Sequence, residues 1–357
     1  AHFLFFQKTV ISLFVPTGFL IIAGLITLSS ISRHLFSLQL TWVALGSLLV
    51  GIFLFIDWRT ILNYRWLISG FYIFVLGLLV FVYFNGPVIR GTRSWLVLGP
   101  LNFQPVELLK VSLIFLYAQY FSRRHLSIAR WKNILTSFFY FALPSILVAL
   151  QPDLGSALVL FGIWFGFLLV SGLPIKRILA ALAIFLVLGL FMWQSVLKDY
   201  QKERIIGVFY PEKNVLSINY SLLQSKIAIG SAGFLGKGYG QGTETQLGFL
   251  PEPATDFIFS ALTEEWGWLA GILVIAAFLA IIFRILKTGS QADRNFEKFI
   301  CLGTAMVFGF QFFLNLGSAI GFTPVIGVTF PFLSYGGSSL LTSFLLLAIV
   351  NAIAKRS

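Results

Sequence analysis

The sequence predicts an all-α polytopic membrane protein: ten transmembrane helices with one long extracytoplasmic loop. Three observations lead there. The 357 residues are 58% hydrophobic and only 11% charged, where soluble domains carry about a quarter charged residues. The mean hydropathy is +0.92. Uncharged runs of about 20 residues, the length that crosses a bilayer, recur along the whole chain. This composition excludes disordered, collagen-like and disulfide-scaffold classes and argues against an ordinary soluble enzyme. Forty Phe and nine Trp residues suit a lipid-facing surface with aromatic belts.

The elements follow in chain order. Charge-free runs at 9–32, 35–56 and 66–89 predict the first three spans. The first run is too long for the apolar part of a cleaved signal peptide and long enough to span. A fourth span near 101–121 carries Glu107 and Lys110 inside it. Runs at 133–152, 154–175 and 178–197 predict three more. Residues 198–256 form the long loop between helices 7 and 8, too short for a catalytic domain with a large core of its own. The whole chain, 1–357, therefore reads as one integral-membrane domain. Within the loop, 217–229 predicts a short helix lying along the membrane surface, with Leu222, Leu223, Ile227 and Ile229 as its apolar residues. The eighth span includes 266–283, in an apolar helix that begins at Phe257. The last uncharged run, 299–354, holds two spans and folds back at Gly317, Gly321, Pro324, Gly327 and Pro331.

Loop charges orient the bundle. With both termini cytoplasmic, the inner side collects 15 of the 25 cations, from Lys8, Arg59 and Arg65 to Lys355 and Arg356, and the short outer loops carry only Arg33, Arg90 and Arg93. That is the positive-inside pattern. It accounts for most of the net charge of +12 without nucleic acid. Of the acids, only Asp57, Asp293 and Glu297 fall inside. The rest gather at the outer side, either because that side has few cations or because it holds a polar site. The lone Cys301 reads as a small buried hydrophobe.

Ionisable groups at membrane depth are expensive and mark function. Asp256 follows Leu250-Pro251-Glu252-Pro253-Ala254-Thr255 and precedes an apolar helix. It reads as an N-cap or as a general base, and the roles are compatible because a helix N-terminus favours the ionised carboxylate. Glu107 and Lys110 stand at i, i+3, on one helix face. They form either an ion pair that makes the span tolerable or a lysine presented to an anion. Asp153, in Gln151-Pro152-Asp153-Leu154-Gly155, reads as a helix cap that also faces the outer side. Glu264 and Glu265 point in different directions, so one of them lines a cavity. The glycine cluster from Gly230 to Gly240 lacks the P-loop pattern: Ser231 and Gly238 stand where a Gly and a Ser or Thr are needed. It reads as a tight, flexible loop whose amides approach an anion. No His pair or Cys cluster suggests zinc.

Four separated motifs resemble the SEDS family (shape, elongation, division and sporulation). They are the run 225–265, Phe103-Gln104-Pro105-Val106-Glu107-Leu108-Leu109-Lys110, Gln151-Pro152-Asp153-Leu154-Gly155-Ser156, and Pro331-Phe332-Leu333-Ser334-Tyr335-Gly336-Gly337-Ser338-Ser339. The match runs in order over nearly the whole chain. It departs from the family at Val106, where Ser is usual, at Ala232, where Gly is usual, and at Ser94, where an Arg often precedes Trp95. The resemblance implies a peptidoglycan glycosyltransferase of the bacterial cytoplasmic membrane, polymerising lipid II at the outer leaflet for elongation and rod shape, with the division branch of the family as the runner-up. It implies Asp256 as the essential residue, with Arg93, Gln104, Glu107, Lys110, Asp153, Lys237, Tyr335 and Ser338 binding substrate. The leaving polyprenyl pyrophosphate calls for cations, with Lys110 and Arg93 ahead of Lys237 and Arg204, or for a divalent cation such as Mg or Mn. A class B penicillin-binding protein is the implied transpeptidase partner, with other elongation-complex membrane proteins and no nucleic acid. The competing readings are a lipid II flippase, supported by the intramembrane Glu107 and Lys110 and the Pro/Gly-broken segments, and a noncatalytic scaffold.

Overall fold

The computed structural model describes residues 2–53, 55, 64–89, 91–99, 101–124, 130–195, 197, 199–210 and 219–355. Of the residues named above, Asp57, Arg59, Arg90 and Arg356 lie outside the described residues, as do the Lys8 side chain and parts of the stretches 35–56, 178–197 and 198–256. Among the described residues, long helices fall on the expected stretches: α1 (His2–Ile31), α2 (Arg33–Phe53), α3 (Arg65–Asn85), α4 (Pro105–Arg124), α5 (Trp131–Leu150), α6 (Leu154–Val170), α7 (Ile175–Ser195), α11 (Ile258–Gln291), α12 (Asn295–Ile320) and α13 (Gly337–Ala354). Seven of them are long and apolar enough to cross a membrane, and α6 is apolar but shorter.

The exceptions have a physical cause in α4. Fifteen of its twenty residues are buried, Glu107 and Lys110 among them. It packs against α3, α6, α12 and α13. A helix wrapped by other helices needs no lipid-compatible surface, so it tolerates charge that an outer span would not. It also starts later than the sequence suggests. Residues Leu101–Phe103 are strand β2, paired with β1 (Leu96–Leu98) in the register Leu96↔Phe103. The helix begins at Pro105, whose ring suits a first helical position and holds Gln104 extended.

The long loop is not featureless. It contains α8 (Asp199–Phe209), α9 (Tyr220–Ser231) and α10 (Thr243–Gln246). The expected surface helix is α9, and it packs on α11 and α12. Leu222, Ser225, Ala228 and Ile229 are buried there, while Leu223 and Ile227 face outward. Ser225 fixes the contact: its Oγ lies 2.7 Å from Ser260 Oγ and donates to the Ala319 carbonyl at 2.7 Å. The fold-back falls where expected. α12 stops at Ile320 with Gly321 left-handed at φ 89°, and a non-helical stretch runs to Gly336 before α13.

Candidate active site

Residues 251–257 wind into α11 at the end of the bundle that carries α8, α9 and α10. Thr255 and Phe257 both donate their amides to the Glu252 carbonyl, at 3.2 and 3.3 Å. This winding delays the helix, so its N-cap is Phe257 and not Asp256. Asp256 is left half-buried at the lip. Three consecutive carbonyls of the segment each have a donor. The Tyr335 amide donates to Ala254 O at 2.8 Å. Ser334 Oγ donates to Thr255 O at 2.7 Å, and Asn315 Nδ2 donates to Asp256 O at 3.0 Å. A Cβ at Gly327 would stand 3.9 Å from Asp256 Oδ2.

The second acid, Asp153, caps α6 as expected. It accepts from the Ser156 amide at 3.0 Å and from Ser156 Oγ at 2.8 Å, and Gln104 Nε2 donates to Oδ2 at 2.8 Å. On α4, Lys110 Nζ lies 2.8 and 2.7 Å from the two carboxylate oxygens of Glu107, with both side chains buried. Gly155, two residues beyond Asp153, sits directly under the Ile326 carbonyl and the Val328 side chain. Residues 326–328 therefore form a wall that meets the Asp153 turn at Gly155 and faces Asp256 at Gly327. Arg204 reaches the same wall from α8, donating Nη1 to Val325 O at 3.2 Å.

The remaining candidates are placed as follows. Ser338 is buried in the first turn of α13, and its neighbour Ser339 pairs with Thr329 at 2.9 Å. Tyr335 is half-buried and packs on the apolar core. Arg93 is exposed, just past the Ile89–Thr92 turn. Lys237 donates to Glu264 Oε1 at 2.8 Å and to Thr243 Oγ1 at 2.8 Å.

Neither Glu264 nor Glu265 lines an open cavity: both are buried, at 0% and 1% exposure. Besides Lys237, Glu264 accepts from the amides of Glu244 (2.9 Å) and Thr245 (3.1 Å) and from Thr245 Oγ1 (2.8 Å). It thus anchors α10. Burial, and after it the adjacent Glu264, push the Glu244 carboxyl above its usual range against the pull of Lys237. Glu265 accepts from Ser30 Oγ and from Gln246 Nε2, tying α1 to α10.

The glycine loop has a structural task, and the anion reading is replaced by it. α11 breaks at Gly267, at φ 80° and ψ 177°. The Lys237 and Gly238 amides take the carbonyls of Glu264 and Glu265 at 3.0 and 2.9 Å, and the Trp268 and Leu269 amides go to the carbonyls of Gly233 and Phe234 at 3.0 and 3.2 Å. A buried break must satisfy its backbone groups, and this loop does so. A Cβ at Gly267 would collide with the Phe234 carbonyl and the Gly236 amide. Among the described residues no group of three His, Cys, Asp or Glu side chains stands ready for a metal.

Sequence reasoning missed Asn315, Ser334 and the anchoring role of Glu264. The signal for Asn315 was a polar side chain inside an otherwise apolar run.

The family of cell cycle proteins FTSW_RODA_SPOVE matches residues 2–357. Peptidoglycan glycosyltransferase MrdB of Escherichia coli (strain K12) is 36% identical over 284 residues, 79% of this chain and 76% of that protein. Probable peptidoglycan glycosyltransferase FtsW of Haemophilus influenzae is 37% identical over 276 residues, 76% of this chain and 69% of that one. Among solved structures, a chain in a peptidoglycan synthase complex studied for its coordination of polymerization and crosslinking aligns with TM-score 0.84 and 30% identity, covering 96% of this chain and 97% of that one. The rod shape determining protein RodA of Thermus thermophilus aligns with TM-score 0.72 and 28% identity, covering 96% of each chain.

Proposed function

The chain belongs to the SEDS family, the FtsW, RodA and SpoVE cell cycle proteins, and from that premise we propose how it acts as a peptidoglycan glycosyltransferase. It is a multi-pass membrane protein that polymerises lipid II at the outer leaflet of the bacterial cytoplasmic membrane, with both termini cytoplasmic. Its relatives include both the MrdB and the FtsW branches; we assign this chain to elongation.

The observation that carries the mechanism is Asp256: a half-buried carboxylate on a segment whose carbonyls are pinned one after another. The acceptor is a sugar hydroxyl, a poor nucleophile that a positioned carboxylate activates. Asp256 takes the hydroxyl proton as the new oxygen–carbon bond forms at the anomeric carbon. The bond from that carbon to the pyrophosphate oxygen breaks, and polyprenyl pyrophosphate leaves with the electron pair. An α-linked donor gives a β-linked product in this single inverting displacement, so one base suffices and no covalent enzyme intermediate forms.

The leaving group develops negative charge that cations stabilise. We assign this role to Arg204, which reaches the Val325 carbonyl from α8, and to the exposed Arg93. Lys110 and Lys237 rank behind them because Lys110 is buried and Lys237 only partly exposed, whereas Arg204 and Arg93 are exposed. Gln104 and Asp153, hydrogen-bonded to each other, lie by the wall through Gly155. A divalent cation such as Mg or Mn would be held mainly by substrate phosphate oxygens, since the described residues offer it no ready group of acids, His or Cys. When bound it would neutralise charge on the pyrophosphate; no step above depends on it. The lipid tails lie against apolar surface such as that of α7, which exposes Leu179, Leu186, Val187 and Leu190. The partner is a class B penicillin-binding protein supplying the transpeptidase, a reading supported by the similarity to a chain from a peptidoglycan synthase complex.

The test is glycan polymerisation by the purified chain with its class B partner, with lipid II supplied in liposomes and penicillin present to block crosslinking. Wild type should yield polymer, and Asp256→Ala should not. Undiminished polymer from the variant removes Asp256 from the mechanism. Transfer of lipid II across the liposome without polymer favours the flippase.

A further inference from the structure

Asn315 has no part in the chemistry above, yet the two sides of the site meet through it. It lies on α12, 1% exposed, after Phe312, Phe313 and Leu314. Its Nδ2 donates twice, to Asp256 O at 3.0 Å and to Val328 O at 2.8 Å. Both acceptors are carbonyls, so chemistry sets the amide's orientation: only the NH2 end can serve two of them. Its Oδ1 is buried and accepts from no described group.

The two bonds join specific things. One holds the backbone of the residue read as the base. The other holds the segment that carries Gly327, which faces the carboxylate of that same residue. One amide group thus sets the spacing between Asp256 and the wall in front of it. The neighbouring carbonyls, Ala254 O and Thr255 O, have donors of their own in the Tyr335 amide and Ser334 Oγ. The segment therefore stays folded without Asn315, and only its last residue is freed.

We propose that Asn315 is a positioning residue for glycosyl transfer, holding Asp256 at a fixed distance from the wall formed by residues 326–328. This rests on the reading of Asp256 as the base. Displacing a reacting group by about 1 Å costs on the order of 100-fold in rate, so a side chain that sets this spacing acts on turnover more than on binding.

The experiment uses the full-length chain with its class B partner and lipid II. It compares wild type, Asp256→Asn, Asn315→Leu (near-isosteric, no donor) and Asn315→Ser (shorter, one hydroxyl donor), each normalised to folded protein. Asn315→Leu should lower kcat by about 10- to 100-fold with the KM for lipid II changed by less than about 3-fold. Asn315→Ser should fall between, and it carries the same test if the Leu variant does not fold. Adding Asn315→Leu to Asp256→Asn should cause no further loss. Wild-type kcat in both Asn315 variants, while Asp256→Asn is inactive, overturns the positioning role alone. A loss confined to folded yield or to KM overturns it as well. Full activity of Asp256→Asn overturns the base reading and this role with it.

Discussion

Asp256 and Glu264 are eight positions apart, at the two ends of the first limb of α11, and the fold treats them oppositely. Glu264 is fully buried and takes two backbone amides, a lysine and two threonine hydroxyls. Its acceptor capacity is spent on holding α10 and the glycine loop to the broken helix. Asp256 is half-buried, and the fold grips its backbone through Asn315. A carboxylate saturated with donors is a structural part. Asp256 differs in exposure: it stands half-buried at the lip, where a substrate can reach it. The kink at Gly267 separates this limb from the rest of α11, so the outer loop sets where the limb lies.

The comparison breaks most sharply at Asp256 itself. Asp256→Ala should lower lipid II turnover by about 100- to 10,000-fold while the melting temperature in detergent stays near wild type. A substantial drop in melting temperature would move Asp256 into the structural class. Next is Glu264→Ala, which leaves two amides without an acceptor and Lys237 without its counter-charge. It should cost about 3 to 5 kcal/mol of stability, read as a lower melting temperature, with turnover per folded molecule within about 3-fold of wild type.

The pair on α4 sharpens the contrast. Lys110→Met alone leaves Glu107 buried and unpaired and should destabilise by about 3 kcal/mol. Adding Glu107→Gln should recover much of that loss. If the double variant melts like wild type yet polymerises poorly, Lys110 serves the substrate and not only Glu107. The smallest effect is expected at Lys237→Met, about 1 kcal/mol, since that side chain is partly exposed and the α10 amides remain on Glu264. A large loss of turnover there would return Lys237 to the list of substrate cations.

The features legible in the sequence were those set by local spacing. Glu107 and Lys110 at i, i+3, the Asp153 cap and the reversal at Gly321 follow from helix geometry and from which residues tolerate a left-handed backbone. Asp256 and its neighbours were legible as a motif and as an acid at a helix start, although the cap falls at Phe257. What was not legible depends on groups brought together from far along the chain. The glycine loop looked ready for an anion until Glu264 and Glu265 presented their carbonyls to its amides. α9 looked like a surface helix until Ser225 met Ser260 and Ala319. The isolated Gly267 between Trp266 and Trp268 was the one local hint of the break.

The most direct measurement puts Asp256→Asn and Glu264→Gln side by side with wild type, in one membrane preparation with the class B partner. Lipid II turnover per folded molecule and melting temperature are read for each. The account predicts no polymer and an unchanged melting temperature for Asp256→Asn, against a lowered melting temperature and near-normal turnover for Glu264→Gln. The reverse pattern, with turnover lost at Glu264 and stability lost at Asp256, would contradict it.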